Sequence, residues 1–426
     1  MITDMNAHRF ATKSLQDSRL LRILSAALDA VDPFHAVQTH LPALEGRVFG
    51  LAIGKAAVPM MDALVERFPL TDGLAVTKFA PEQSRKRYTV IEGAHPVPDG
   101  RSFEAGERAL EFVSSLNEND TLVCLISGGG SALVTAPYVS LEDLQTLTSL
   151  LLSSGAPIDE INVLRRQLDR IKGGGLAHAT KAKIVSLILS DVIGNPLEAI
   201  ASGPTVPDPT TREDAMKILK RYELEKEVPD SILQFLASKS LDLDLRQQSL
   251  GLDHIQNIIV GDNKLAAVAA FEHAEREGFY AEILTNELRG EAREVGRELA
   301  YRLRVESSTR DRPFCLIAGG ETTVTLTGNG KGGRNQELAL SAVNELRGLE
   351  HVMLIALGTD GDDGPTDAAG AVVTGESASR AQSLGLDAED SLSRNDAYPF
   401  FEALGDLLKP GPTGTNVNDL VFLFAI

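Results

Sequence analysis

Short apolar runs alternate along the chain with longer stretches whose apolar residues return every three or four positions. The runs Val48–Ile53, Gly73–Thr77, Thr121–Ile126 and Ile184–Leu189 are bounded by glycine or polar residues and read as buried strands. A helical stretch opens at Gly54-Lys55 and continues to about Phe68. Ser140-Leu-Glu-Asp143 carries the capping-box pattern ahead of an apolar helix that stops near Gly155. The next helix places Ile161, Leu164, Leu168 and Ile171 on one face. Arg166 and Arg170 lie one turn apart on it, and Lys172 closes it before Gly173-Gly174-Gly175. Strands that alternate with helices in this way predict an α/β fold with a Rossmann-like, doubly wound sheet.

The stretch Lys239–His254 is polar, repeats Leu-Asp and has no clean period, which marks a domain joint. Placing the cut inside it gives residues 1–245 as an N-terminal Rossmann-like α/β domain and 246–426 as a C-terminal α/β domain. Ile255–Val260, a helix from Asn263 to Glu277 and Ala281–Leu284 read as a βαβ unit. Phe314–Ala318 and Thr322–Leu326 read as strands joined by Gly319-Gly320-Glu321. So short a turn requires antiparallel pairing, and it predicts a mixed sheet. His351–Leu357 and Asp419–Ala425 add two more strands.

A length of 426 residues fits two domains. Lys and Arg number 41 against 60 Asp and Glu, a formal net charge of −19. That balance excludes the basic face a nucleic-acid partner needs and any polybasic membrane anchor. The acids are spread along the chain, so they act mainly for solubility. Cys124 and Cys315 sit inside apolar runs and make neither a disulfide framework nor a zinc site alone. The first residues have no apolar signal core, and no window resembles a membrane span, so the expected compartment is the cytoplasm.

Open α/β sheets bind ligands beyond the carboxyl ends of their strands. The residues there are Lys55, Ser127-Gly128-Gly129-Gly130-Ser131, Ser190-Asp191, Asp262-Asn263, Gly319–Glu321 and Thr359–Asp363. One lysine, several acids and many glycines suit a polyanion held with a divalent cation. The loop Ser127–Ser131 is a candidate phosphate cradle, or else a tight crossover that needs glycine. Lys55 is either a cation set over phosphates or a surface lysine. A cation at a helix N-terminus is unfavourable unless an anion is bound there.

Gly358–Gly370 packs Asp360, Asp362, Asp363 and Asp367 into one loop, without the EF-hand spacing. It reads as an Mg2+ site with a possible general base, or as an acidic surface loop. Gly328-Asn-Gly330-Lys331-Gly-Gly333 matches the dinucleotide pattern, but its predicted strand is antiparallel, so a mobile glycine loop bringing Lys331 and Arg334 to an anion fits better. No P-loop is present. His95 lies in the proline-locked segment Glu92–Asp99, where it either binds a carboxylate or satisfies a turn.

These segments together resemble the glycerate 2-kinases whose C-terminal module is called MOFRL. The likeness rests on AIGKAA, EGAHPVPD, LISGGGSAL, KGGGLA, LSDVIGNPLEAIASGPTVPDPT, GDNKLA and GEAREV, then AGGETTVTLTGNGKGGRNQE, GTDGDDGPTDAAG and GPTGTNVNDL. It implies ATP-dependent phosphorylation of the 2-hydroxyl of D-glycerate, two α/β domains with the site in the cleft between them, and a divalent metal. The family's active-site lysine falls on Lys55 and its arginine on Arg334. Arg165-Arg166-Gln167 stands where Arg-Lys-His is usual, Gly194-Asn195 for Gly-Asp, and Gly173-Gly174-Gly175 for Gly-Gly-Arg.

The residues and the resemblance together assign catalysis to Lys55, Arg334 and Asp191. They assign ATP to Ser127–Ser131, Asn263 and Glu321, substrate to His95 and Arg166, and Mg2+ to Asp360 and Asp363. The partners expected are D-glycerate and ATP, with no nucleic acid and no membrane, for a monomer or homodimer. Two other readings are a nicotinamide-dependent hydroxypyruvate reductase and a non-catalytic sugar-acid or nucleotide sensor.

Overall fold

A computed structural model describes residues 7–81, 85, 87–238 and 254–426. Pro33–Val260 forms one unit, and the chain through Asp32 joins Gly261–Ile426 in a second. The cut expected between residues 245 and 246 lies outside the described residues.

The unit Pro33–Val260 is built on a six-stranded sheet. Its strands are β1 (Arg47–Ile53), β2 (Asp72–Thr77), β3 (Thr89–Glu92), β4 (Asp120–Ile126), β5 (Lys183–Leu189) and β6 (Ile255–Gly261). The order is β3-β2-β1-β4-β5-β6, and β1 pairs in parallel with both β2 and β4. Every residue of β4 is buried, and so is all of β1 beyond Arg47. Strands covered on both faces have no solvent side to keep polar, which is why they appear as unbroken apolar runs. The strand order reverses between β1 and β4, and a doubly wound sheet binds its ligand at such a reversal.

The second unit holds β7 (Tyr280–Leu288), β8 (Phe314–Gly320), β9 (Val352–Gly358), β10 (Gly370–Thr374), β11 (Leu407–Leu408) and β12 (Asp419–Ala425). Their order is β11-β10-β9-β12-β8-β7. The sheet is mixed, as expected, but by another route. β7 runs parallel to β8, while β12 inserts antiparallel between β8 and β9. Thr322–Leu326 is not a strand. Both edges of β8 are already taken by β7 and β12, so Thr323 bridges to Glu291 instead.

The N-terminal segment was expected in the first domain and belongs to the second unit. The helix Ser18–Asp29 packs on the helix Asn263–Arg276, and Arg22 clasps Glu277 at 2.6 and 2.8 Å. Asp406, fully buried, accepts from Thr12 Oγ1 at 3.1 Å and from the N–H and Oγ of Ser14 at 2.8 and 2.9 Å, and pairs with Arg380. Breaking so buried a charge network costs several kcal/mol, about 3–5 in comparable cases.

Ser140 caps the helix Leu141–Ser153, its hydroxyl accepting from the N–H of Asp143; the complete, reciprocal capping box falls at Thr211 and Asp214 instead. The following helix ends at Gln167, earlier than its apolar period implied. Ile161, Leu164 and Leu168 pack in a helical cluster, whereas Ile171 joins the core of the sheet. Lys172 does not cap the helix; it is buried against Asp169 at 2.5 Å. Both cysteines are free and buried. Among the described residues no helix is long and apolar enough to cross a membrane.

Candidate active site

In the unit Pro33–Val260 the ends of β1 and β4 are stitched together. Ser127 donates its N–H to Ile53 O and Lys55 donates its N–H to Gly128 O, both at 2.9 Å. Ser127 Oγ accepts from Ala56 N–H at 3.0 Å. Gly54 sits at φ +130°, and a Cβ there would lie 2.2 Å from Ser127 Oγ, so only glycine permits the crossing. The loop then turns through Gly129 at φ +86°. A Cβ at Gly129 would lie 3.2 Å from His95 Cδ2 and 3.4 Å from Lys55 Cγ. Lys55, His95 and Gly129, from three separate sequence segments, therefore meet at the reversal of strand order. Ser131 Oγ shares a hydrogen bond of 2.8 Å with Ser202 Oγ.

His95 is half-buried. Burial, then the charges of Lys55, Lys78 and Arg165, push its pKa down to about 4. It is therefore a neutral imidazole at physiological pH. Asp191 lies half-buried just past β5.

The substrate role expected of Arg166 is corrected. Its guanidinium is buried, pairs with Asp208 at 2.9 Å and reaches Glu198 O and Thr210 Oγ1 at 3.3 and 3.4 Å. Gln167, the other departure on this helix, donates to the same Asp208 at 2.7 Å. These two side chains fasten the helix Ile158–Gln167 to the segment after β5. Both side chains are buried, with Asp208 as their common acceptor.

In the second unit Arg334 opens the helix Arg334–Ala342. Its Nε and Nη2 fork onto Asp419 at 2.5 and 3.0 Å, and Nη1 meets Glu321 at 2.7 Å. Burial works against the guanidinium charge, but Asp419 and Glu321 outweigh it and raise the Arg334 pKa further. Glu321, expected at the nucleotide, is thus a partner of Arg334.

Asp363, expected at the metal, caps that helix instead. It accepts the N–H groups of Asn335 and Gln336 at 3.1 and 2.8 Å and is 3% exposed. Burial pushes its pKa up to about 7, with Asp419 adding and the two N–H donors opposing. Its carboxyl oxygens hold the start of the helix in this structure. Asn263, expected at the cofactor, uses its amide N–H groups on the carbonyls of Val417 and Asp419, each at 2.9 Å, and so clasps β12.

The loop Gly328–Gly333 is fastened, not mobile. Gly328 N–H reaches Asn395 Oδ1, Gly330 N–H reaches Arg394 O and Lys331 N–H reaches Asp396 Oδ1, each at 2.9 Å. Its glycines answer to crowding, since a Cβ at Gly328 or Gly330 would fall 2.3 or 2.5 Å from Arg394 O. Lys331 Nζ rests 3.9 Å from the centre of the Tyr398 ring.

Among the described residues no three His, Cys, Asp or Glu side chains gather as a ready-made metal cage. Mg2+ does not need one when phosphates complete its shell around one or two carboxylates. Glu321 and Asp419 pair with the guanidinium of Arg334, and Asp360 is close enough for its charge to act on Asp419. This excess of negative charge suits a divalent cation arriving on phosphates.

The family model described as a domain of unknown function, DUF4147, matches residues 19–237, and the MOFRL family model matches 314–419. The chain is 42% identical to the glycerate 2-kinase of Pyrococcus horikoshii, over 94% of this chain and 95% of that one. It is 44% identical to the D-glycerate 2-kinase of Thermotoga maritima, over 94% and 96%. A putative hydroxypyruvate reductase of Agrobacterium vitis is 40% identical over 94% and 92%. The crystal structure of a glycerate kinase from Thermotoga maritima matches with a TM-score of 0.88 at 42% identity, covering 96% of this chain and 99% of that one.

Proposed function

The chain belongs to the glycerate kinase family that carries a C-terminal MOFRL domain, and from this premise we propose that it transfers the terminal phosphoryl group of ATP to the 2-hydroxyl of D-glycerate. One observation carries the reading. Lys55, neutral His95 and the Gly129 turn converge where the strand order of a doubly wound sheet reverses.

Phosphoryl transfer asks little covalent chemistry of a protein and much positioning and charge neutralisation. Lys55 faces the transferring group and offsets charge that develops there. Backbone N–H groups of Ser127–Ser131 cradle the phosphates. His95, being neutral, accepts or donates one hydrogen bond to the hydroxy acid without adding charge. Asp191 takes the proton of the attacking hydroxyl. In the second unit Arg334 is held by Asp419 and Glu321 as a preorganised cation, the kind of group that neutralises phosphate charge. Asp360 would help to hold a divalent cation such as Mg2+, which would supply charge neutralisation to phosphate oxygens.

The test is turnover with ATP, Mg2+ and D-glycerate, followed by phosphorus NMR of the product, with an NADH and hydroxypyruvate arm in parallel. A 2-phosphoglycerate signal supports the reading. A 3-phosphoglycerate signal keeps the kinase and overturns the position. NADH oxidation without ATP-dependent turnover replaces the kinase with a reductase.

A further inference from the structure

We propose that Arg165 is the residue that receives the carboxylate of the hydroxy-acid substrate; this assignment rests on the kinase reading above. Neighbouring arginines on a helix point about 100° apart, and here the two have different work. Arg166 is buried in its ion pair with Asp208. Arg165 has one hydrogen bond, from Nη1 to Asn162 Oδ1 at 3.2 Å, and among the described residues no carboxylate lies within ion-pair distance of it.

The guanidinium lines a cavity with Pro98, Ser131, Thr135, Thr148, Asp169 and Lys172. Asp169 does not serve it, because that carboxylate is taken by Lys172 at 2.5 Å, Thr135 Oγ1 at 2.6 Å and the N–H of Ile171 at 2.8 Å. Ser131 ends the loop that packs on Lys55 and His95, and Pro98 ends the His95 loop. The charge of Arg165 also acts on His95 and helps to lower its pKa, which places the guanidinium near the His95 side of the site.

Two physical points favour a ligand over an idle cation. Arg165 stands in the last turn of its helix, where the dipole favours a positive charge by up to ~1 kcal/mol at an exposed site. That is less than the cost of shielding an unpaired cation from water. Burial does disfavour the charge of Arg165, lowering its pKa. An anion would restore the balance. The cavity, at about 10 Å3, holds roughly one water. That space takes one carboxylate oxygen against the guanidinium and is too small for a tetrahedral phosphate.

The experiment pairs calorimetric binding of D-glycerate, D-lactate and glycerol with steady-state kinetics on wild type, Arg165→Ala and Arg165→Lys. For Arg165→Ala the expected result is a loss of about 10- to 100-fold in affinity for both hydroxy acids. KM for D-glycerate should rise to match, with KM for ATP within twofold and the thermal midpoint near wild type. Arg165→Lys should recover part of the loss, since it keeps the charge and loses the fork. Discrimination of D-glycerate over glycerol should collapse in Arg165→Ala.

Unchanged hydroxy-acid affinity in Arg165→Ala, or a rise confined to KM for ATP, overturns the assignment and leaves the kinase reading standing. A wild type that binds hydroxy acids without turnover sinks the kinase reading, and Arg165 is then decided by the binding comparison. A wild type that binds no hydroxy acid overturns both.

Discussion

Replacing Gly129 by alanine isolates the close approach on which the proposed mechanism depends. Gly129 has φ +86°, where an L-residue costs roughly 1–2 kcal/mol. In a unit of this size each kcal/mol moves the thermal midpoint by about 2–4 °C, so strain alone lowers it by about 2–8 °C. The added methyl would also lie 3.2 Å from His95 Cδ2 and 3.4 Å from Lys55 Cγ. His95 must give by a few tenths of an ångström, while 3.4 Å to Lys55 is ordinary contact. Since a displacement of about 1 Å costs on the order of 100-fold, the expected fall in kcat/KM is about 4- to 10-fold.

Gly155→Ala is the control. Gly155 has φ +75° in the same unit, but a Cβ there meets nothing within 4 Å. It should show a similar drop in thermal midpoint with full activity. The assay is ADP release at subsaturating D-glycerate, with the midpoint measured by calorimetry. Gly129→Ala with the activity of Gly155→Ala would refute the claim that the loop positions Lys55 and His95.

Lys55→Ala should lower kcat/KM by several powers of ten, on the order of 10³ or more, with little change in thermal midpoint; an active variant removes Lys55 from the mechanism. Asp208→Ala leaves the buried Arg166 charge uncompensated and should destabilise the fold by about 3–5 kcal/mol in urea unfolding, so a loss under 1 kcal/mol would contradict the structural role. The His95 ring resonances should not titrate between pH 5.5 and 8, because its pKa is near 4. The unfolded imidazole protonates near 6.5, so stability should decline as pH falls from about 6.5 to 4, and His95→Gln should remove that part of the slope. An inflection near 6.5 in the folded protein would contradict the charge environment described for His95.

The fully buried strands were legible because a sheet covered on both faces leaves its strands wholly apolar. β1, β4 and β12 differ from their expected limits by at most one residue. Short or half-exposed strands gave no such signal: β3 has no buried residue and β11 is only two residues long. Thr322–Leu326 looked like a strand from composition, but a strand also needs a free edge, which only the tertiary pairing of β8 reveals. The site divides in the same way. Lys55, the Ser127–Ser131 loop and Arg334 stand at strand ends or a helix start, where position follows from topology. Arg165 and Arg166 are adjacent with identical chemistry, so nothing local separates the buried ion-pair partner from the one facing the cavity. Asp363 and Asp360 pose the same difficulty, and only the N–H groups of Asn335 and Gln336 tell them apart.

The position of β12 has a consequence for biosynthesis. β12 follows β7 to β11 in the chain yet lies in the middle of their sheet, between β8 and β9, while its unit also includes residues that precede Pro33. Pro33–Val260 can close on itself as soon as it clears the ribosome. The segments on either side must then wait until β12 is made, roughly 10–30 s at ordinary elongation rates. During that interval the β8 and β9 edges that β12 will cover stay unpaired, a ready template for other chains. Loss of β12 would therefore leave a folded Pro33–Val260 unit attached to an aggregation-prone remainder, so chaperone demand during translation should concentrate on the second unit.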